Sequence, residues 1–174
     1  ADGTPYNIRV SEDPTEPSQT CLVPNGNGTL NGADVTGVTV NCTTDTYTVG
    51  GNVTGLTGSG LVLRNNGGDD LAISGNGVFT FATTLNDIQS YAVTVLTQPG
   101  TPTQVCSVTN DTGPITNSNI TTVSVDCVTD TYTVGGNVTG LAGSGLVLRN
   151  NGGDDLVISG NGSFTFDTTL NDTQ

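Results

Sequence analysis

Residues 42–89 read CTTDTYTVGGNVTGLTGSGLVLRNNGGDDLAISGNGVFTFATTLNDIQ, and residues 127–174 repeat this stretch with only six substitutions, at an offset of 85 positions. The preceding segment, residues 2–41, matches residues 87–126 at the same offset more loosely. A fixed period indicates an array of similar units. This period is too long for one rung of a solenoid and fits a small β-sandwich, so the sequence predicts tandem repeats of that kind.

Alternating apolar residues separated by turn residues predict seven strands in one unit. Thr and Val, which favour pleated strands, and Gly and Asn, which favour turns, dominate the composition. The class is therefore all-β. The predicted strands are Tyr47–Val53, Leu61–Arg64, Leu71–Ile73, Val78–Phe81, Tyr91–Val95, Val105–Val108 and Thr121–Val125.

The two near-identical copies predict which strand face is buried. Ala72, Val78 and Ala82 become Val157, Ser163 and Asp167 in the second copy, while the residues that alternate with them do not change. Because side chains of a strand point alternately to its two faces, the varying residues belong to one face and the constant ones to the other. The predicted core residues are Phe79, Phe81, Tyr91, Val93 and Val95.

Four cysteines, Cys21, Cys42, Cys106 and Cys127, allow three pairings. The repeat selects Cys21 with Cys42 and Cys106 with Cys127, since the members of each pair are 21 positions apart. In a hairpin of the last two predicted strands, Cys106 and Cys127 would be neighbours. Free thiols and a metal site are the alternatives, and the metal site is disfavoured because the chain has no His. Disulfides imply an oxidising compartment and hence export.

A family resemblance lies in five short stretches of the unit: Gly50-Gly-Asn-Val-Thr-Gly-Leu56, Gly60-Leu-Val-Leu63, Asn76-Gly-Val-Phe-Thr-Phe81, Leu85 and Tyr91-Ala-Val-Thr-Val95. This pattern resembles the prealbumin-like, Ig-like sandwich family and is similar to collagen-adhesin B-type repeats and carboxypeptidase regulatory-like domains. The chain as a whole also resembles the secreted repeat arrays of bacterial surface proteins. Many adhesin repeats are locked by a Lys–Asn isopeptide bond, but this chain has no Lys. The resemblance implies that one disulfide per unit takes over that role.

Charge and residue types exclude several classes of function. Sixteen acidic residues and three arginines give a formal net charge of −13, which repels nucleic-acid phosphates and anionic lipid headgroups. No apolar run approaches the ~20 residues that span a bilayer. The usual base for nucleophilic catalysis, His, is absent, and neighbouring Asp69 and Asp70 would point to opposite faces of a strand. We therefore expect that the chain has no nucleic-acid partner, does not insert into membranes and is not an enzyme.

Calcium is the one candidate cofactor. The turn at residues 65–70 and its copy at residues 150–155 offer oxygen ligands and glycines, as calcium sites require. A polar hairpin turn with solvated carboxylates is the alternative interpretation, and the connector residues Asp45 and Asp130 are a second candidate location. The candidate ligands in the two turns are Asn65, Asp69, Asp70, Asn150, Asp154 and Asp155.

The unit boundaries predict an unusual domain organisation. Residues 1–43 would form the last three strands of one repeat, residues 44–128 a complete repeat, and residues 129–174 the first four strands of a third. We expect the chain, which has no initiator Met, to be a processed or excised segment. Each terminal half would expose an apolar face and open strand edges, which favour pairing with other chains. The predicted interface residues are Tyr6, Ile8, Val10, Val38 and Val40 in one half and Leu156, Ile158, Phe164 and Phe166 in the other.

These features together predict a structural role outside the cell. The expected function is a subunit or segment of an extracellular filament or surface fibre, assembled head to tail, in which residues 129–174 are completed by residues 1–43 of a neighbouring copy. An arbitrary cut from a longer covalent array and closure of the two halves on each other within one chain are the competing interpretations of the ends. The alternative function is a stalk or ligand-binding module of a cell-surface adhesin, with specific contacts in the divergent segments at residues 11–19 and 25–34.

Overall fold

The computed structural model describes residues 3–172, and every regular element in this range is a β-strand. The chain is therefore all-β. We call residues 3–43 the head, residues 44–128 the central unit and residues 129–172 the tail. The head contains β1 (Pro5–Asn7), β2 (Gln19–Leu22), β3 (Asn27–Thr29) and β4 (Asn41–Thr44).

The central unit contains ten strands arranged mainly in two four-stranded sheets. The strands are β5 (Thr46–Tyr47), β6 (Val49–Thr54), β7 (Leu61–Asn65), β8 (Asp69–Ile73), β9 (Gly77–Thr80), β10 (Leu85–Asn86), β11 (Ser90–Thr97), β12 (Gln104–Thr109), β13 (Thr112–Pro114) and β14 (Ile120–Thr129). One sheet has the order β12-β14-β6-β9 and the other β13-β11-β7-β8, while β5 and β10 form a separate pair. β6 and β14 run parallel, and the other neighbours are antiparallel.

The tail contains six strands that form three separate pairs. They are β15 (Thr131–Tyr132), β16 (Gly135–Val138), β17 (Leu146–Asn150), β18 (Asp154–Ile158), β19 (Gly162–Thr165) and β20 (Leu170–Asn171). The pairs are β15 with β20, β16 with β19, and β17 with β18.

The two sheets of the central unit enclose one hydrophobic core. Its buried residues come from both sheets: Val49, Val53, Leu61, Leu63, Phe79, Phe81, Tyr91, Val93, Val123 and Val125. Four of the five predicted core residues are buried, and the fifth, Val95, is half-buried and packs against the cluster. The varying positions Ala72, Val78 and Ala82 are exposed, as the comparison of the two copies predicted.

Each of the seven predicted stretches overlaps a strand of the structure, and the structure adds the short strands β5, β10 and β13. These three are two or three residues long, which is too short for a period-two pattern to appear in sequence. The predicted turn between β7 and β8 is also present. Asn66 and Gly67 both have positive φ (48° and 72°), as the central residues of a type I′ hairpin turn require.

Two disulfides join Cys21 to Cys42 and Cys106 to Cys127, in agreement with the predicted pairing. The members of each pair lie directly opposite one another, on β2 and β4 in the head and on β12 and β14 in the central unit. Each bond therefore staples an antiparallel strand pair. Such bonds persist in oxidising, extracellular-type environments.

The head and the tail reproduce different halves of the central unit. The head pairs β1·β3 and β2·β4 have the registers of β11·β13 and β12·β14, shifted by the period of the sequence repeat. The tail pairs β15·β20, β16·β19 and β17·β18 have those of β5·β10, β6·β9 and β7·β8. The pairings that join the two halves in the central unit, β14·β6 and β11·β7, have no counterpart within residues 3–172 in the head or the tail.

Candidate functional site: the joint between repeats

The head meets the central unit through a closed set of hydrogen bonds at three residues. The Asp45 N–H donates to the Ser18 carbonyl oxygen over 2.9 Å, and the Asp87 N–H donates to the Asp45 carbonyl oxygen over 2.9 Å. The Ser18 N–H then donates to Oδ2 of Asp87 over 2.7 Å. These bonds link the start of β2, the connector before β5 and the turn after β10.

The same arrangement recurs one repeat later, where the central unit meets the tail. The Asp130 N–H donates to the Thr103 carbonyl oxygen over 3.0 Å, and the Asp172 N–H donates to the Asp130 carbonyl oxygen over 2.9 Å. The Thr103 N–H donates to Oδ2 of Asp172 over 2.5 Å. Thr103 takes the place of Ser18, and in both joints this residue contributes its backbone N–H and carbonyl oxygen to the set.

Asp87 is the central group of the first joint. The residue is 3% exposed, and its Oδ1 accepts a second bond from the Asn117 N–H over 2.8 Å. Because the Ser18 and Asn117 N–H groups both stabilise the ionised form, they lower the pKa of Asp87, and they outweigh the opposing effect of burial. One carboxylate thus accepts hydrogen bonds from two backbone N–H groups, one in the head and one in the central unit.

Asp45, which the sequence singled out as a connector residue, adds side-chain bonds to the same joint. Its Oδ2 accepts from the Ser18 hydroxyl over 2.6 Å, and its Oδ1 accepts from the Thr20 hydroxyl over 2.9 Å. Both donors belong to the head, so Asp45 strengthens the contact that Asp87 makes. Its carboxylate oxygens are engaged by hydroxyl groups in this arrangement.

A cleft of about 610 Å³ opens beside the first joint. It lies between the divergent head segment at residues 11–19 and the central unit. Ile88, on its wall, is exposed and has a φ of 64°, an unfavourable backbone conformation for a β-branched residue. The lining residues are Thr15, Glu16, Asp87, Ile88, Ile115, Thr116 and Asn117.

Asp87 and Asp172 are not among the site residues predicted from the sequence. A signal was present, because Asp recurs at positions 2, 87 and 172 with the spacing of the repeat. Nothing local distinguishes these residues from other acidic loop residues, and Ser18 lies 69 positions from Asp87. Asp2 itself lies outside the described residues.

The candidate calcium ligands are engaged by protein groups. Asp70 accepts two hydrogen bonds from the Arg64 guanidinium, at 2.5 and 2.7 Å, and this bonding lowers the pKa of Asp70. Asp69 accepts from the Thr83 N–H over 3.0 Å, and the buried Asn65 accepts from the Ala92 N–H over 3.2 Å.

The tail copy of this turn is arranged in the same way. Asp155 pairs with Arg149, which lowers the pKa of Asp155, and Asp154 accepts from the Thr168 N–H over 3.3 Å. Asn150 is half-buried at the end of β17. Within residues 3–172, no three or more His, Cys, Asp or Glu side chains gather as a metal site would require. Calcium binding stays a prediction.

The predicted interface residues differ in exposure. Ile8 and Val40 are exposed, and five others are half-buried: Tyr6, Val10, Val38, Leu156 and Phe164. Ile158 and Phe166 are buried, and the Phe166 ring packs edge-on against that of Phe164. The apolar surface that the tail leaves open is therefore smaller than the sequence predicted.

Comparisons with known proteins add no relatives. No protein-family model matches the chain, and neither a curated protein nor a solved structure matches it. Among the described residues, no helix has the length and apolar character needed to cross a membrane. The joint therefore has to be interpreted from its own geometry.

Proposed function

We propose that this chain is a structural subunit or segment of an extracellular filament or surface fibre, in which β-sandwich repeats are joined head to tail. The observation that carries the proposal is the joint. The same three hydrogen bonds occur at both boundaries of the central unit, between residues related by the period of the repeat. A repeated joint supports a repeated geometry along a series of units.

The chemistry of the joint suits a load-bearing link. The 3% exposure of Asp87 shields its bonds from water, and hydrogen bonds to an ionised acceptor are stronger than neutral ones. Two of the three bonds, those made by Ser18, cross the boundary, so bending at the boundary would strain or break them. A flexible linker would instead be rich in Gly or Ser and free of such contacts.

The rest of the molecule supports export and repetition. The disulfide in the head and that in the central unit occupy the same place in the repeat and fit an oxidising compartment. The net charge of −13 keeps an extended array well solvated. The joint consists of backbone atoms, carboxylates and hydroxyl groups that bond one another at the boundary, so the role we propose for it is mechanical.

The test is to locate the protein in its native setting. Antibodies raised against the full chain, detected with gold particles in electron microscopy, should decorate filaments or fibres outside the cell at regular intervals. The control is the same serum after adsorption with the purified chain. Label dispersed in the medium, or confined to the cell interior, would refute the proposal. Label on the cell surface without fibres would refute it in favour of the adhesin-stalk alternative.

A further inference from the structure

A small pocket lies in the central unit, between the β7–β8 turn and the segment that leads into β10. Its volume is about 220 Å³, which is below the range of pockets that hold drug-sized ligands. The pocket therefore suits a ligand of about the size of a single ring. The lining residues are Asn65, Asn66, Gly68, Asp69, Thr83 and Leu85.

Asn65 turns a buried side-chain amide toward this pocket. The residue is 1% exposed, and its Oδ1 accepts a hydrogen bond from the Ala92 N–H over 3.2 Å. Because a backbone N–H needs an acceptor, this bond fixes which way the amide faces. The Asn65 Nδ2 has no acceptor within residues 3–172, and no fully buried side-chain nitrogen or oxygen in that range lacks a partner. Nδ2 must therefore reach the open space that Asn65 lines.

Asp69 supplies a hydrogen-bond acceptor close to this donor. It is the cross-strand partner of Asn65 and is half-buried. Its Oδ2 accepts from the Thr83 N–H over 3.0 Å, while its Oδ1 receives no hydrogen bond from the part of the chain that the structure describes. Leu85, which is half-buried and packs against the hydrophobic core, adds an apolar surface to the lining. The pocket thus combines a donor, a charged acceptor and an apolar wall.

This combination selects among ligand classes. A hydroxyl group can use both polar groups, because its oxygen can accept from Nδ2 and its O–H can donate to Oδ1. The bond to the carboxylate would be charge-assisted. A calcium ion needs several oxygen ligands, but Asn65 presents N–H groups to the pocket, and an anion would be repelled by Asp69. A neutral ligand with hydroxyl groups and an apolar C–H face meets all three conditions.

We propose that this pocket binds a single sugar ring through two adjacent hydroxyl groups. One hydroxyl accepts a hydrogen bond from the Asn65 amide, the other donates to Asp69, and the C–H face of the ring packs on Leu85. Such binding is independent of the proposed fibre. In a fibre, however, the pocket would recur once in each repeat, and regularly spaced pockets would bind a polymeric glycan more tightly than one pocket alone.

The pocket stays open where a complete repeat precedes it. The tail follows the complete central unit, and yet Gly153 and Thr168 are exposed there, like their counterparts Gly68 and Thr83. None of the six substitutions between the two copies falls on a lining residue, although the neighbouring position 82 changes. The lining residues of the tail copy are Asn150, Asn151, Gly153, Asp154, Thr168 and Leu170.

The first experiment is an NMR titration of the isotope-labelled full chain with the methyl glycosides of glucose, galactose, mannose and N-acetylglucosamine. At least one of them should cause a saturable shift of the side-chain amide signals of Asn65 and of the backbone amide signals of residues 66–69. Tetrahydropyran, which is the same ring without hydroxyl groups, should shift none of them. The absence of a saturable shift with every glycoside would overturn the proposal.

Asp69→Asn is the variant that tests the site, and Asp70→Asn is its matched control. At position 69 an amide can still accept from the Thr83 N–H, but its NH2 group takes the place of the oxygen that the ligand hydroxyl needs. We expect the dissociation constant to rise about tenfold or more. Asp70 pairs with Arg64 and does not line the pocket, so Asp70→Asn should bind as the wild type does. A folded Asp69→Asn chain with wild-type affinity would overturn the site.

Calcium chloride is the competing occupant, and it is titrated in the same way. If calcium shifts the Asn65 signals and the glycosides do not, the pocket is a cation site and the proposal is wrong. These outcomes are separate from the test of the proposed function. A chain that binds a glycoside but is absent from fibres in the electron microscope refutes the fibre alone, and a fibre protein that binds no glycoside refutes the sugar site alone.

Discussion

Nearly the same sequence occurs in the central unit, at residues 42–89, and in the tail, and it is buried to different extents in the two places. Val49 is 0% exposed in the central unit, whereas its counterpart Val134 is 39% exposed. Leu61 is fully buried and its counterpart Leu146 only half-buried. The pairings within the two copies are the same, so the difference comes from the strands β11–β14, which within residues 3–172 pair with the central copy and not with the tail.

The lengths of the strands carry the same lesson. β6 spans Val49–Thr54, but its counterpart β16 spans only Gly135–Val138, and β14 extends over ten residues while β4 has four. In each case the residues lost from the strand correspond to residues through which β6 and β14 pair with each other in the central unit. Strand formation in this protein therefore depends on cross-strand pairing more than on local propensity.

The largest expected effect on the free energy of unfolding is that of Gly51→Ala, and Gly136→Ala is the variant to compare with it. At position 51 the new Cβ meets the backbone of β14, which cannot rotate away, so the β6·β14 pairing should be lost. We expect a loss on the order of 4–5 kcal/mol, the upper range for single substitutions. At position 136 the chain should unfold much as the wild type does. Urea titrations followed by circular dichroism measure both, and equal losses would contradict the comparison.

Phe81→Ala should have the next largest effect. Phe81 is 2% exposed and packs edge-on against Phe79, with ring centroids 5.8 Å apart. Truncating a buried Phe costs about 3–5 kcal/mol, and we expect the lower end of this range. Phe166→Ala should cost clearly less, because the half-structure around it can collapse further, even though Phe166 is only 7% exposed. A larger loss at Phe166 than at Phe81 would show that the tail has a core of its own.

A comparison of Gln104→Ala with Gln19→Ala tests how much the hydrogen bonds of a buried polar side chain contribute to stability. Gln104 accepts hydrogen bonds from the Thr57 and Gly58 N–H groups and donates to Gly55 and Thr129. Its removal takes the partner from three part-buried backbone groups of the loop at residues 55–58 and should cost about 2 kcal/mol.

The head counterpart provides the control for that substitution. Gln19 donates to Thr44 over 3.1 Å, the contact that corresponds to Gln104 with Thr129. Because the Gln19 side chain makes no bonds within residues 3–172 like those of Gln104 to residues 55–58, Gln19→Ala should change stability by less than about 1 kcal/mol. The same urea titrations measure it. An equal loss of stability at the two positions would mean that the hydrogen bond to Thr accounts for the effect, and not the bonds to the loop at residues 55–58.

The smallest effect is the acid sensitivity of the first joint. The folded-state pKa of Asp87 is lowered from its ordinary value of 3.8, so its stabilising bonds are fully present above about pH 4 and are lost as the pH falls through the lowered pKa. Glu16, Asp45 and Tyr47 are the other titratable groups around this joint. The protection of the Ser18 and Asn117 amides against hydrogen exchange, measured by NMR relative to the amides of β6, should fall in acid.

The matched variant for the acid prediction is Asp87→Asn. An amide keeps a carbonyl acceptor but has no charge to lose, so exchange at Ser18 should be faster than in the wild type at neutral pH and nearly independent of protonation in acid. The amides of the core strand β6 serve as an internal reference. A wild-type chain whose Ser18 amide keeps the same protection relative to β6 at all pH values would show that Asp87 does not hold the joint.

Much of the fold could be predicted because its signals are local. The alternation in Leu61–Arg64 and the Asn-Gly turn that follows it predict a strand and a hairpin without reference to the rest of the chain. The sequence repeat predicted the disulfide pairing and predicted that Val78 lies on the outward face of its strand. The joint could not be predicted, because Ser18, Asp45 and Asp87 come together only when two units are already folded.

The sequence by itself determined the all-β class, the turn positions, the inward residues and the covalent pairing of the four cysteines, because period-two alternation, turn chemistry and the sequence repeat act over short distances or by direct identity. Only the tertiary structure decided how deeply each copy is buried, where β14 and β11 extend into full strands, and which carboxylates hold the joints. The physical reason is that burial and cross-strand hydrogen bonds require a partner far away in the chain, and two copies of one sequence have different partners.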